Sequence, residues 1–134
     1  MDSPEAASLH RCALRIRARV ERTLIDMESA GAEVGAVLAR PPERGAPCRR
    51  DLAVVQPVVF RLLEEHRDLV EGVGLVLDRN HLADTELCWE WWSHDGGSSP
   101  HFRRYEPGGG VEDYTDRDWF TGAREAGRPV VTGP

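Results

Sequence analysis

Apolar positions in the first part of the chain recur at steps of three, four or seven: Leu9, Cys12/Ala13, Ile16, Val20, Leu24, Met27, Val34 and Leu38. This spacing predicts one amphipathic helix of about 35 residues. Ser3 is suited to cap it, Pro4 to fill its first position and Glu5 to face the positive end of its dipole. Gly31 and Gly35 are expected to loosen it, and Pro41-Pro42 to end it. After a loop over 43–50, Asp51 is placed to cap a second helix reaching about Val70. Leu52, Val55, Val59, Leu62, Leu63, His66 and Leu69 would share one side of it. Pro57 predicts a kink or a late regular start there, and Gly72 closes the helix.

The period then changes to two. Val73 to Asp78 reads as a short apolar strand, and Glu86 to Ser93 as a second strand carrying Trp89, Trp91 and Trp92. A turn is expected over 95–100, a third strand over His101 to Glu106 and a glycine interruption over 107–110. Asp116 is placed to cap a short helix over about 117–126, stopped by Gly127, and Val130-Val131-Thr132 reads as the start of another strand. The fold class is therefore α+β: residues 1–71 are helical, and residues 72–134 form an antiparallel sheet with a short helix. So few strands leave an open edge, which predicts at least two further strands beyond Pro134.

Composition narrows the function classes. A chain of 134 residues can bury roughly two-thirds of its unfolded surface without staples. The net charge of −6 opposes contact with nucleic acid or an anionic membrane. All 17 basic residues are Arg, a bias expected of GC-rich coding, so each Arg is judged by its setting. Cys12, Cys48 and Cys88 form no C-x-x-C pair, which points to a reduced compartment rather than zinc or disulfides. No run approaches the length of a membrane span and no signal-peptide pattern opens the chain, so the expected location is the cytoplasm.

The candidate chemistry is binding rather than turnover. Arg117 offers a fork for a carboxylate; Trp119 and Phe120 beside it offer apolar walls, and the indole adds one N–H donor. Strand alternation puts Trp89 and Trp91 on one face and Cys88, Glu90 and Trp92 on the other. Three indoles on one strand suit an aromatic-lined pocket or a box for a cationic group. His81, Asp84, Glu86, His94, Asp95 and His101 have no diagnostic metal spacing, and 108–110 lack the flanks of a phosphate loop. Arg11, Arg15, Arg19 and Arg22 read as a solvated helix face, with no helix-turn-helix to make it a nucleic-acid contact. No catalytic residue, metal or cofactor is expected.

Four segments carry a resemblance to a known family: Gly72-Val73-Gly74-Leu75-Val76, Leu87 to Ser93, Asp113 to Phe120 and Gly127 to Pro134. Together they resemble the Cache domains of bacterial sensory proteins, and most closely a cytoplasmic actinobacterial group linked to transcriptional regulation. The resemblance implies a PAS-like sheet behind the N-terminal helices. It also implies a pocket lined by the Arg-x-Trp-Phe segment and the strand ending in Gly-Pro. On that basis the expected ligand contacts are Arg117, Trp119, Phe120, Tyr114, Trp89, Trp91 and Trp92. The implied function is small-molecule sensing, with a homodimer formed through a first helix too long for one small domain to cover. Two rivals make different demands. A dimerisation scaffold needs no occupied pocket, and a small hydrolase-like enzyme would depend on His81 or His94.

Overall fold

The computed structural model describes residues 3–94, 99–109 and 113–132. Helix α1 runs unbroken over Pro4–Leu38, through both Gly31 and Gly35, where loosening was expected. Ser3 is extended and its hydroxyl accepts from the Ala6 N–H at 3.1 Å, so the predicted cap is in place.

The second helical segment departs from its prediction at the start. Arg49–Val54 is a 3-10 turn, and regular α-helix α2 covers only Val55–Glu65. Asp51 does not cap this segment from in front. It lies in its first turn and reaches back to accept from the Cys48 N–H at 2.7 Å, while Arg40 holds its other oxygen at 2.6 Å. Pro57 falls at the third residue of α2, where a missing N–H costs no helical hydrogen bond, and this accounts for the late regular start.

Strands β1 (Gly72–Leu77), β2 (Cys88–Ser93) and β3 (His101–Arg104) form an antiparallel meander in the order β1-β2-β3. The register sets Leu77 opposite Cys88, Val73 opposite Trp92, Gly74 opposite Trp91, and Trp91 opposite Arg103. Among the described residues the fold is thus mixed α+β, with an open three-stranded sheet. The 130–132 stretch expected to begin a strand has no strand pairing among the described residues. Most of the turn over 95–100, with Gly110 and 133–134, lies outside them.

The core sits between α2 and the inner face of the sheet. Val55, Val58, Val59, Leu62 and Leu63 are buried on one side of α2. They pack with Val73, Leu77, Cys88 and Trp92 from the sheet and with Ala30 and Leu38 from α1. Each such aliphatic side chain contributes roughly 1.5–3 kcal/mol as an upper estimate. The β1–β2 connection is folded onto the same core by Leu82 and Leu87. It is also tied to the 3-10 segment, because Asp84 accepts from the Arg49 N–H at 3.0 Å.

Helix α3 (Asp118–Ala126) has no fully buried residue and docks by a few polar and aromatic contacts. Its N-cap is Arg117, not Asp116, and Gly127 closes it in the left-handed region at φ 60°, as a C-terminal stop requires.

Candidate functional site

The outer face of the sheet carries a cleft of about 530 Å³ lined by Val76, Trp89, Glu90, Trp91, Arg103, Tyr114 and Trp119. Its floor follows from the strand sequences. Gly72 and Gly74 leave β1 flat on that side, and the Trp91 indole lies across both; a Cβ on Gly74 would stand 2.5 Å from Trp91 Cε3. The glycines thereby make room for a flat aromatic floor. Trp91 remains 43% exposed and Trp119 46%. Large rings left in water on one concave face are surface that a ligand can cover.

The far wall comes from the segment leading into α3. Tyr114 is buried, and its hydroxyl accepts from the Cys88 N–H at 2.9 Å. It faces the carbonyls of Leu77 at 2.7 Å and Cys88 at 2.8 Å, to one of which it donates. These contacts sit at the last pair of the β1–β2 ladder. Tyr114 then orders its neighbours, with Phe120 edge-on at 5.4 Å and Trp119 stacked at 6.4 Å between ring centroids. Arg79 pairs with Asp113 and Glu86, and Arg124 pairs with Asp78 at 3.2 Å, so the segment is held at three points. The hydrogen bonds to the Arg79 N–H and then to Arg124 keep the Asp78 carboxyl below its ordinary range.

The structure brings together Trp89, Trp91, Tyr114 and Trp119 from the expected set. It separates the other three. Trp92 turns to the inner face, where it is 4% exposed and meets the Phe102 ring at a tilt, 5.0 Å between centroids, because alternation sends it opposite to Trp91. Phe120 stands behind Tyr114, with the Arg124 guanidinium 5.6 Å from its ring centre. Arg117 caps α3 and is not among the residues lining the cleft. The cation at the cleft is instead Arg103, placed there by its β3 register opposite Trp91. Sequence reasoning missed it, since the alternation was read on β2 without the β2–β3 pairing.

The scattered His and acidic residues of the connections are engaged separately. His94 Nε2 meets the Leu63 carbonyl at 3.3 Å, Asp84 caps the Arg49 N–H and Glu86 pairs with Arg79. His81 and His101 are exposed, and Asp95 lies outside the described residues.

A second, larger cleft of about 680 Å³ lies between α1 and the end of α2, lined by Arg15, Ala18, Arg19, Arg22, Asp26, Glu65 and His66. His66 is 2% exposed there, with Nε2 2.8 Å from Asp26 and Nδ1 3.1 Å from the Thr23 hydroxyl. That hydroxyl also meets the Arg19 carbonyl at 2.9 Å. Asp26, Glu65 and His66 present ligand atoms within 4.8 Å of one another. Arg22 Nε stands 3.9 Å from the same Asp26 oxygen, and two more arginines line the cleft, which opposes a cation. Arg19 is already paired with Asp68. Here His66 is already hydrogen-bonded to Asp26 and Thr23 across the two helices, whereas the smaller cleft leaves aromatic surface exposed; the smaller one is the better candidate.

Comparison with known proteins finds no match to a family model, to a curated protein or to a solved structure. Among the described residues, no helix is long and apolar enough to cross a membrane.

Proposed function

We propose that the chain is a Cache-like, PAS-type sensor module that binds a small metabolite in the outer-face cleft and catalyses no reaction. The observation that carries this reading is the convergence of Trp89, Trp91 and Trp119 with Arg103 around one cleft of about 530 Å³. Three indoles supply apolar walls, and a guanidinium at their edge suits a carboxylate. The ligand class is therefore a small molecule with a flat or apolar body and a carboxylate for Arg103, or an amine for Glu90, which also lines the cleft. The module would act in the cytoplasm as part of a signalling or transcription-regulatory protein.

A ligand that favours one packing of the sheet against the helices would shift the population of that packing, and two copies associated through α1 would transmit the shift. A pure scaffold is the second reading, favoured by the apolar side chains that α1 leaves exposed.

Tryptophan emission and thermal melting, measured against a panel of amino acids, small carboxylates, amines and purines, separate the two. Saturation at 100 times the dissociation constant adds about 2.7 kcal/mol to stability and raises the melting temperature by several degrees. The expected result is a shift that quenches emission and is lost in both Trp119→Ala and Arg103→Ala. A shift that survives both substitutions puts the ligand elsewhere, and no shift across the panel favours the scaffold.

A further inference from the structure

The spacing along α1 is stricter than an amphipathic helix needs. Positions 6, 9, 13, 16, 20, 23, 27, 30, 34 and 37 alternate steps of three and four without a break, and all hold Ala, Leu, Ile, Val, Thr or Met. This is the seven-residue repeat of a helix paired with another helix. In the C-terminal half α2 of the same chain covers part of this seam: Thr23 and Ala30 are buried, while Met27 and Val37 stay exposed. In the N-terminal half the same seam runs on uncovered among the described residues: Leu9 is 70% exposed and Ile16 58%. With 11 residues against 35, α2 is too short to follow it.

We infer that the N-terminal half of α1 pairs antiparallel with the same segment of a second copy of this chain, centred near Arg11. Side-chain size selects both the partner and the direction. Antiparallel pairing sets Leu9 against the partner's Ala13 and Ile16 against the partner's Ala6, so every layer joins a large residue to a small one. Parallel pairing would set alanine on alanine in two layers and leave them unfilled. The charged residues Arg11, Arg15 and Arg22 lie off the seam, and Arg17 is paired with Glu21 of its own helix at 2.8 Å. The surface is also available. The chain exposes 9641 Å² at 15.0 kDa, against about 7,000 Å² for a compact chain of that mass. The surplus exceeds the roughly 800 Å² that each partner loses in a standard interface. This pairing does not depend on whether the outer cleft takes a ligand.

Sedimentation of the full chain over a concentration series tests it. The expected mass rises with concentration toward twice 15.0 kDa. Ile16→Glu, which buries a charge in the seam, should weaken association on the order of a hundredfold. Leu14→Glu, at a position 51% exposed but off the seam, should leave it unchanged, with circular dichroism showing equal helix content in both variants. A short bismaleimide should join Cys12 to Cys12 across the centre, read by mass spectrometry as one cross-linked peptide pair. A chain that stays monomeric, or a dimer that Ile16→Glu leaves intact, overturns the inference. If the Ile16→Glu-sensitive dimer still cross-links to itself after the cysteine is moved one heptad back (Cys12→Ser with Glu5→Cys), the antiparallel direction is overturned, because only parallel copies bring position 5 beside position 5.

Discussion

At the scale of single residues, β2 holds two ionisable groups whose behaviour follows from burial. Cys88 is 4% exposed, and desolvation pushes its thiol up to about 11, so at neutral pH it stays protonated and inert. Cys12, exposed on α1, is then the reactive thiol that a cross-linker meets first. Glu90 is half-buried on the same strand. Burial raises its carboxyl above the usual carboxylate range, against the opposing charges of Arg104 and Arg49. A carboxyl with a higher pKa folded than unfolded is a liability above both values. That liability is relieved as pH falls through the folded pKa toward the unfolded one. Glu90→Gln should therefore raise the melting temperature at neutral pH, and the gap to the parent should close as the pH becomes acidic. Melting curves across that range check it, and a gap that persists at acid pH would assign the effect to packing instead.

At the scale of elements, the Tyr114 hydroxyl is one of the points that tie the segment leading into α3 to the sheet. Tyr114 satisfies the Cys88 N–H and a strand carbonyl at the end of the β1–β2 ladder, in a buried setting. Tyr114→Phe keeps the ring stack but leaves the N–H without its acceptor, which costs about 1–3 kcal/mol. Urea unfolding measures that loss, and an unchanged midpoint would show that α3 is held by the Arg79–Asp113 and Arg124–Asp78 pairs alone. Tyr114 also marks where sequence reading stops. Its choice as a site residue rested on resemblance, while its hydroxyl contacts depend on a register no local pattern encodes. What was legible was local: the Ser3 cap, the length of α1, the alternation of Trp91 and Trp92, and Gly127 as a stop. The 3-10 start of the second helical segment was hidden because Asp51 serves a first-turn position as well as a cap. Arg103 and the Asp26–His66–Thr23 contact were hidden because each is made between elements far apart in sequence.

At the scale of the whole molecule, two regions differ in how much they owe to the core. From α1's second half onward, helix, sheet and connection share one buried cluster. Residues 3–18 contribute nothing to it: all are exposed except the half-buried Ala7. A segment that buries almost no apolar area adds little to cooperative stability, and an isolated helix of that length is marginal in water. Deleting residues 1–15 should therefore leave the melting temperature of the dilute chain within about 3 °C of the parent. At high concentration the two should diverge, because association stabilises only the chain that still carries Leu9 and the rest of the seam. Calorimetry at both concentrations separates the contributions. Equal melting when dilute, with a gain on concentration only for the full chain, assigns the projecting helix to intermolecular pairing. A large loss on deletion under dilute conditions would make that helix part of the monomer's own cooperative unit.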